Sequence, residues 1–513
     1  MSRHHSTLPS ALFWLAGLTG GCGADRAVAA RLAAPTSSAA VALAATPPVV
    51  VLIGGGAEGN IGDKAAWSYG LYKEIIVNGD VTGDGVVTIA VLSPYEESQF
   101  IPQYFGWIGG TLGTPAAASN VQVATVADAN SPAVNAQVAS ADAVWIKGGD
   151  QGVFYDLWNG TQLETSIRAV IARGGAIGGT SAGAMSLAEY CLCGGLTYQS
   201  KDVMQDAQTE ALDDLSAPGT SGIHADFLGV VSGVFIDSHV IERARLGRLL
   251  GVLARANEDA GLDTLLGVGI ESHTGLVVRN GIGEVRGAGT VNFVRQTPAT
   301  VRRRPKGHPL VYTQLRLDRL TEGWQFDLVH RVPVVSPLPS GVLPVAYPGP
   351  SASNAGPLTI DGGRDPERRK FGLVADFFPL PYALSATTAP RFVVRALGMP
   401  NMGNLENRGA KDETLFRALY DQVGAVGVFA FTGSLISRSA ADPDRLAFEG
   451  TSGSMVVDLQ SATYRGLSPW VSYQSDYTES LHPAALVGAT LHAIGESTLN
   501  GMRYDTRLHL ITP

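Results

Sequence analysis

The stretch RGGAIGGTSAGAMSLAEY, residues 173–190, decides the fold of this chain. Ser181 lies at its centre, in a G-x-S-x-G frame formed by Gly179 and Gly183. An apolar run precedes the serine, and good helix formers follow it. This pattern is typical of a nucleophile elbow, in which a strand turns sharply into a helix and exposes the serine hydroxyl. The alternative is a glycine-rich turn that only packs, or that holds a phosphate.

Short apolar segments around this stretch predict a parallel sheet. The first, Pro48–Ile53, is fully apolar and runs into three glycines, as expected of a strand buried on both faces. Helix-length intervals or loops separate the segments, which predicts an α/β fold with a doubly wound, mostly parallel sheet. Such sheets bind ligands at the carboxyl ends of their strands, where the glycine-rich turns fall. The further predicted strands are 86–92, 121–126 and 141–146, and the turns are 54–56, 148–151 and 178–183.

A second candidate segment, FIDSHV (235–240), follows the elbow. It is predicted to end a strand, whose alternation places Asp237 and His239 on one face. The helix predicted at 241–258 carries arginines near its start, where the helix dipole favours acids. Cations placed against that preference indicate an anionic partner, and the alternative is a solvated helix face. The arginines are Arg243, Arg245 and Arg248.

Together these segments resemble the cyanophycinase branch of serine peptidases, which have a class I glutamine-amidotransferase-like fold. The resemblance covers roughly residues 48–297 and extends more loosely to 331. A weaker match is GIESHT (269–274), where the family usually reads Gly-Ile-Asp-Glu-x-Thr-Ala. The stronger matches are GGDQ (148–151), GTSAGA (179–184) and DSH (237–239) with the spaced arginines.

The resemblance implies a catalytic triad in the chain order serine, histidine, acid. Ser181 would attack a peptide carbonyl, and His239 would take its proton and return it to the leaving amine. Backbone N–H groups of Ala182 and of Gly148 or Gly149 would stabilise the oxyanion. The chain would therefore be a serine-type peptidase.

The acid of the triad is where the chain departs from the family. A strict match puts Ser272 where the family has glutamate, and Glu271 comes one residue early. On a regular strand Glu271 would face the other way, so it can serve only if the strand ends or bulges there. We predict Glu271 as the acid, with Asp202 in reserve.

The resemblance also implies a substrate. Cyanophycin is a polyaspartate backbone with arginine on each side chain, so its site must hold both cationic and anionic groups. The product would be β-Asp-Arg dipeptides. Arginine suits this site because it binds carboxylates in bidentate fashion. Ser238 stands where the founding members have glutamine, which could shift specificity toward another acidic or isoaspartyl peptide. The substrate-binding residues implied are Gln151, Asp237, Arg243, Arg245 and Arg248.

Composition and the N-terminus indicate an exported protein. Net charge is −9 over 513 residues, which argues against general nucleic-acid binding, and only 16% of residues are charged. Arg3 and the apolar run 11–21, too short to span a bilayer, form an export signal. TGGC (19–22) resembles a lipobox, so Cys22 is a candidate lipid anchor, with ordinary cleavage after Ala29 as the alternative. We expect a periplasmic, outer-membrane lipoprotein or extracellular location in a bacterium.

No cofactor or metal site is predicted. Cys191 and Cys193 match no zinc or redox spacing, and we expect two buried thiols because a disulfide between them would be strained. NGDVTGDGVV (78–87) imitates half of a calcium loop, but its twelfth position is Val91 rather than glutamate. A turn leading into a strand is favoured there.

The chain divides into five predicted parts. The C-terminal part is predicted to be an α+β domain with no assigned role, which could bind insoluble granules or form a homodimer. The parts are an export signal (1–30), a disordered tether (31–46), the peptidase domain (48–331), a Pro/Ser/Gly linker (332–357) and a C-terminal domain (358–513).

Two other function classes compete with the peptidase. An α/β-hydrolase, an esterase or lipase, shares G-x-S-x-G, but its acid precedes its histidine and an HGGG-like motif supplies its oxyanion loop. Here His239 lies only 58 residues after Ser181, and no such motif precedes the elbow. The other competitor is a non-catalytic surface lipoprotein that binds a peptide or polymer.

Overall fold

The computed structural model describes residues 47–334, apart from 97, 195–199, 214–221, 241–242, 244 and 305, together with segments between 345 and 512. The predicted export signal, Cys22 and the tether 31–46 lie outside the described residues, as does most of the predicted linker. Within the described ranges, no helix combines the length and apolar character that a bilayer span requires.

The helices are α1 (Tyr69–Val77), α2 (Phe100–Leu112), α3 (Val126–Ala129), α4 (Pro132–Ser140), α5 (Gln151–Trp158), α6 (Gln162–Ala172), α7 (Ala182–Met185), α8 (Ser200–Gln205) and α9 (Leu246–Asp259). The strands up to residue 334 are β1 (Val50–Ile53), β2 (Val87–Ser93), β3 (Ala116–Gln122), β4 (Ala143–Ile146), β5 (Ala176–Thr180), β6 (Ala188–Leu192), β7 (Ile223–His224), β8 (Val231–Ser238), β9 (Leu266–Ile270), β10 (Thr274–Arg279), β11 (Ile282–Gly287), β12 (Val291–Arg295), β13 (Val301–Arg303), β14 (Val311–Leu320), β15 (Gln325–Asp327) and β16 (Val332–Val334). The later strands are β17 (Val345–Ala346), β18 (Thr359–Ile360), β19 (Phe392–Leu397), β20 (Val426–Phe431), β21 (Leu435–Ser439), β22 (Asp442–Glu449), β23 (Ser454–Asp458), β24 (Tyr464–Leu467), β25 (Ala484–Ile494), β26 (Arg503–Asp505) and β27 (Leu510–Thr512).

The first sheet has nine strands in the order β16-β15-β11-β10-β1-β5-β4-β2-β3. Strands β1, β5, β4, β2 and β3 are parallel, whereas β10, β11, β15 and β16 are antiparallel additions. The predicted α/β class is confirmed. The carboxyl ends of β1, β4 and β5 lie side by side, so the glycine turns that follow these strands meet at one edge of the sheet.

Helices cover both faces of this sheet. Along β1, Val51 and Ile53 pack in one core cluster with residues of α1 and α2. Val50 and Leu52, which point to the opposite face, pack in a second cluster with residues of α5 and α6. The alternation of a strand that is apolar at every position explains why both of its faces are buried.

A second sheet runs in the order β18-β19-β20-β23-β25-β14-β12-β9-β8-β6-β7. Strands β8 and β9 are parallel neighbours in it, with Ser238 opposite Ile270. The C-terminal strand β25 pairs antiparallel with β14, with Leu317 opposite Ala489. Part of the segment 358–513 therefore extends the sheet that contains β8 and β9, and the secondary-structure elements described in this segment are strands. The division of the chain at 332–357 stays a prediction.

Two elements begin at residues other than those predicted from the sequence. Strand β3 starts at Ala116 rather than 121, because its Ala/Ser/Asn-rich first half carries no apolar signal. Helix α9 starts at Leu246 rather than 241. In the loop 78–87, Asp80 accepts hydrogen bonds from the backbone N–H of Gly83 and Gly85, which makes the predicted turn.

Candidate active site

The serine singled out by the sequence lies at a sharp turn between β5 and α7. Ser181 has φ 54° and ψ −118°, which is strained for a residue with a side chain. A Cβ on Gly179 would lie 2.5 Å from the carbonyl carbon of Gly183, and one on Gly183 would lie 2.2 Å from the oxygen of Ile146. Only glycine fits on either side of this serine, which explains the G-x-S-x-G pattern.

His239 reaches the serine from the end of β8. Its Nε2 lies 2.9 Å from the Ser181 Oγ, and the residue is 6% exposed. The backbone N–H of His239 donates to the carbonyl of Gly54, and a Cβ on Gly55 would meet the imidazole at 2.2 Å. The glycine turn after β1 therefore packs against the imidazole and fixes its position.

The other imidazole nitrogen contacts a hydroxyl. Nδ1 of His239 lies 2.9 Å from the Oγ of Ser272. Ser272 belongs to the turn between β9, which ends at Ile270, and β10, which begins at Thr274. The serine that stands in place of the family's glutamate thus occupies the third position of a Ser–His–Ser array.

The predicted role of Glu271 does not fit this geometry. Its backbone N–H donates to the carbonyl of Thr290, which continues the pairing of β9 with β12 and turns the side chain away from Ser272. The carboxylate accepts from the N–H and hydroxyl of Thr290 and from Nη2 of Arg319 at 2.8 Å. Arg319 is fully buried and also donates to the carbonyl of Ala484. The side chain of Asp202, the reserve acid, lies outside the described residues.

The predicted oxyanion loop lies against the serine. A Cβ on Gly148 would sit 3.4 Å from the Cβ of Ser181, and Gly149 has φ 145°. Ala182 is the first residue of α7, where backbone N–H groups have no acceptor within the helix. Gly148 and Ala182 therefore adjoin Ser181, and Gly149 follows Gly148 in the same loop.

Tyr95 is a candidate site residue that the sequence analysis missed. It follows β2, is 40% exposed, and its ring lies where a Cβ on Gly149 would meet it at 2.5 Å. Partial burial, and then the charge of Asp150, raise the pKa of Tyr95 above its ordinary value. The only sequence signal was its place just after an apolar strand.

Gln151 is tied to the backbone. It is 7% exposed, and its Nε2 donates to the carbonyl of Leu192 at 2.8 Å. The expectation of free thiols beside Leu192 is wrong: Cys191 and Cys193 form a disulfide, with their Cα atoms 5.3 Å apart. That separation is within the ordinary range for disulfides, because the strand ends at Leu192 and the chain bends.

Asp237 and Arg248 are not exposed to a substrate. Asp237 is fully buried, and Arg248, with a side chain 6% exposed, binds both of its carboxylate oxygens. Arg245 donates to the carbonyl of Ser238 and lies 3.8 Å from Asp237. The predicted shared face of Asp237 and His239 is also wrong, because β8 ends at Ser238 and His239 has φ 53°.

Arg243 differs from the other two arginines. It is half-buried on the turn after His239, and its backbone N–H donates to the His239 carbonyl. Because α9 begins only at Leu246, the predicted conflict between the arginines and the helix dipole does not arise for Arg243 and Arg245. Of the three predicted arginines, Arg243 is the strongest candidate for substrate binding.

The buried carboxylate of Asp237 gives a stability prediction. Burial would raise the pKa of Asp237, but Arg248, Arg245 and the N–H of Ser238 outweigh it and hold that pKa below the ordinary value. Asp237→Asn should lower the free energy of unfolding at neutral pH by about 3–5 kcal/mol, because it leaves Arg248 buried without its partner. A lowered pKa contributes stability above the unfolded value of about 3.9, and this is lost as pH falls through the folded pKa. The difference between wild type and variant should therefore start to shrink below about pH 4 in urea titrations and vanish below the folded pKa of Asp237.

Glu96→Gln is the matched control, since it removes a carboxylate from an exposed position. It should leave the unfolding free energy within about 0.5 kcal/mol of wild type. Equal stabilities for Asp237→Asn and wild type at neutral pH would contradict the assigned ion pair.

Comparison with known proteins bears on the segment that contains the elbow. Residues 112–234 match the model of peptidase family S51, a range that includes Ser181 and ends before His239. A solved peptidase from an acI-B1 Actinobacterium, at 19% identity and a TM-score of 0.36, covers 56% of this chain and 98% of its own. That likeness is too distant to bear on function.

Three relatives are cyanophycinases. Those of Trichormus variabilis and Synechococcus elongatus are each 31% identical, over 204 and 214 residues, which are 39% and 40% of this chain and 61% and 59% of the relatives. That of Geminocystis herdmanii is 30% identical over 195 residues, 37% of this chain and 64% of the relative. The chain thus spans about three fifths of the length of the curated relatives it matches. Residues 112–234 of this chain are thus similar to peptidase family S51, and about two fifths of the chain is similar to cyanophycinases.

Proposed function

We propose that this protein is a serine-type peptidase that hydrolyses cyanophycin to β-Asp-Arg dipeptides through an acyl-enzyme. The observation that carries the proposal is the 2.9 Å contact between Ser181 Oγ and His239 Nε2 at the elbow. The relatives named cyanophycinase support the substrate. Further acidic or isoaspartyl peptides are the alternative substrates.

The first half of the reaction forms the acyl-enzyme. Nε2 of His239 accepts the hydroxyl proton of Ser181 while Oγ attacks the peptide carbonyl. The resulting oxyanion lies where backbone N–H groups of Ala182 and the 148–149 loop can stabilise it. The imidazolium then gives its proton to the leaving amine, and the peptide C–N bond breaks.

The second half releases the product. Water enters, Nε2 of His239 takes one of its protons, and the hydroxide attacks the acyl carbonyl. Collapse of the second tetrahedral intermediate returns the proton to Ser181 Oγ and frees a carboxylate product. Both halves need Nε2 to start unprotonated, so Nδ1 carries the proton and donates it to Ser272 Oγ.

Substrate contacts fall to fewer residues than the resemblance implies. Asp237 and Arg248 satisfy each other in the interior, and Gln151 binds a backbone carbonyl. We assign Arg243 to the carboxylate of the substrate's arginine groups and Tyr95 to the face of the polymer. Both residues lie beside the proposed catalytic residues. A half-buried arginine suits a carboxylate, and an exposed tyrosine ring suits a guanidinium.

The test is product analysis with purified full-length protein. It is incubated with cyanophycin, with isoaspartyl dipeptides and with p-nitrophenyl esters, and the products are identified by mass. We expect β-Asp-Arg dipeptides from cyanophycin. Cleavage of esters alone would indicate an esterase, and binding of cyanophycin without cleavage would indicate a non-catalytic binding protein.

Ser272 yields a prediction about pH dependence. Ser272→Asp places a carboxylate next to Nδ1, which stabilises the imidazolium and should move the acidic limb of the kcat/KM profile to higher pH by about one to two units. Ser272→Ala removes the acceptor for Nδ1–H and should lower kcat by about tenfold or more, because the productive tautomer is no longer favoured. Steady-state rates between pH 5 and 9 provide the measurement.

Ser272→Thr keeps the hydroxyl and is the conservative control, which should retain most of the activity and the wild-type profile. An unchanged rate and profile in both Ser272→Ala and Ser272→Asp would show that Ser272 does not orient His239. A purely structural role would change stability but would not shift the profile of Ser272→Asp.

We also propose that the protein is exported. The apolar run 11–21 and the low charge content support this, and so does the Cys191–Cys193 disulfide, because disulfides persist mainly in oxidising compartments. Cell fractionation with and without Cys22→Ala tests it. Loss of membrane association in Cys22→Ala would identify a lipid anchor, whereas recovery of wild type in the cytosol would exclude export.

A further inference from the structure

A cleft of about 580 Å³ lies at the opposite end of β9 from the Ser272 turn. Asp263 and Thr264 precede β9 and line it, whereas Ser272 follows that strand. The strand has five residues, so the two regions are separated by about 16 Å of extended chain. The other lining residues come mainly from the 295–302 segment and from His330 and Arg331.

The charges of this cleft are unbalanced. Arg302 lies 3.3 Å from Asp263, and next to the cleft Arg316 lies 3.2 Å from Asp318. His330 binds Asp327. Two further lining arginines, Arg295 and Arg331, make no ion pair with any residue of the described ranges.

Both of these arginines are half-buried. The Nε atoms of Arg295 and Arg331 are buried and have no hydrogen-bond partner among the described residues. Burial lowers the pKa of Arg331, and burial is also the largest influence lowering the pKa of Arg295, where Asp318 acts in the opposite direction. Arginine stays protonated in proteins, so both groups remain cations, and neither has a carboxylate at ion-pair distance among the described residues.

The backbone at Arg331 adds a second cost. Its φ is 58°, in the left-handed region that disfavours a long side chain. Arg331 nevertheless lines the cleft and is half-buried there. A chain that keeps two cations half-buried and unpaired around a cavity provides what an oxyanion requires, since each guanidinium can bind it bidentately.

We propose that this cleft is a second binding site, for an anionic ligand that carries two or more carboxylate or phosphate groups. Its volume matches that of small-ligand sites, which is larger than a single inorganic ion needs. One oxyanion group would be bound by Arg331 and another by Arg295. Because the cleft and Ser181 lie at opposite ends of the sheets, the site is distinct from the proposed active site.

The test is calorimetric titration of the full-length protein with two probes at low salt. Triaspartate supplies carboxylates and pyrophosphate supplies phosphates, and triasparagine is the neutral control. We expect saturable binding of at least one anionic probe, weakened by added salt, and none of triasparagine. The tighter probe identifies the source of the oxyanions, and failure of both to bind would overturn the proposal.

Two variants locate the site. Arg331→Gln and Arg295→Gln should each weaken binding by about tenfold or more, as expected for loss of a charge-assisted contact. Arg303→Gln removes an exposed arginine from β13, outside the cleft, and should leave the affinity within about twofold. Wild-type affinity in both cleft variants would refute the assignment.

A measurement on the wild-type chain covers the case in which these variants fail to fold. Phenylglyoxal modifies arginine side chains, and peptide mass mapping follows each position. A bound probe should slow modification of Arg295 and Arg331 and leave Arg303 unchanged. Equal modification with and without the probe would count against the site.

Discussion

Under the proposed function, a protein in which Ser181 is replaced by alanine is expected to hydrolyse cyanophycin at least about 10⁴-fold more slowly than wild type. The hydroxyl at the elbow is the only group of the Ser181–His239 pair that can form the acyl-enzyme. The contact at 2.9 Å lets the imidazole take its proton as the bond forms. Release of dipeptides, followed by mass, measures the effect under saturating polymer.

The matched control is Ser232→Ala, which removes an exposed hydroxyl from β8 far along the strand from His239. Its rate should equal that of wild type. Ser181→Ala protein should still sediment with cyanophycin granules, because binding does not need the nucleophile. Undiminished hydrolysis in Ser181→Ala would remove Ser181 from the mechanism.

Gly55→Ala is expected to lower kcat by about 10²-fold or more without unfolding the protein. The new methyl group would lie 2.2 Å from both Cε1 and Nε2 of His239, so the imidazole must move from its position beside Ser181. A displacement of about one ångström is enough to break the alignment of Nε2 with Ser181. Steady-state kinetics and the melting temperature should be measured together.

Gly62→Ala controls for the backbone. Gly62 has φ +103°, close to the +109° of Gly55, and a Cβ there has nothing within 4 Å. Both variants therefore place alanine at a similar positive φ, and only one of them reaches the imidazole. Equal losses in the two variants would trace the effect to strain in the loop and not to His239.

The parallel half of the first sheet could be predicted because two of its strands, β1 and β4, are apolar at every position. Residues 50–53 and 143–146 are buried on both faces, and an uninterrupted apolar run is the signal of such a strand. The elbow could be predicted for a related reason. A Cβ on Gly179 or Gly183 would lie less than 3 Å from backbone atoms, so glycine is required at both positions and the requirement is visible in the sequence.

The third position of the catalytic array could not be predicted from charge. Reasoning that a histidine needs an acid favoured Glu271 over Ser272. That choice overlooked Arg319, which lies 48 residues later and binds the Glu271 carboxylate across the sheet. Pleating alone, applied strictly, would have selected Ser272.

The pairing of two predicted substrate-binding residues, Asp237 and Arg248, could not be predicted for a similar reason. An arginine and an aspartate that suit a charged polymer suit each other equally well, and Arg248, in the first turn of α9, binds Asp237. The sequence does not show whether two charged side chains form an ion pair in the interior or remain accessible to a ligand. Burial decides this, and burial depends on contacts distant in sequence.

The position of Arg319 has a practical consequence for anyone who wishes to produce the catalytic part alone. This guanidinium connects the carboxylate behind the catalytic turn to the carbonyl of Ala484, a residue near the far end of the chain. Cutting the gene after residue 331, where the family resemblance ends, would expose the edge of β14 and leave the arginine without one of its acceptors. A shortened version suited to expression and crystallisation should keep 484–494 by fusing it through an engineered loop, so that the strand still closes the sheet behind Ser272.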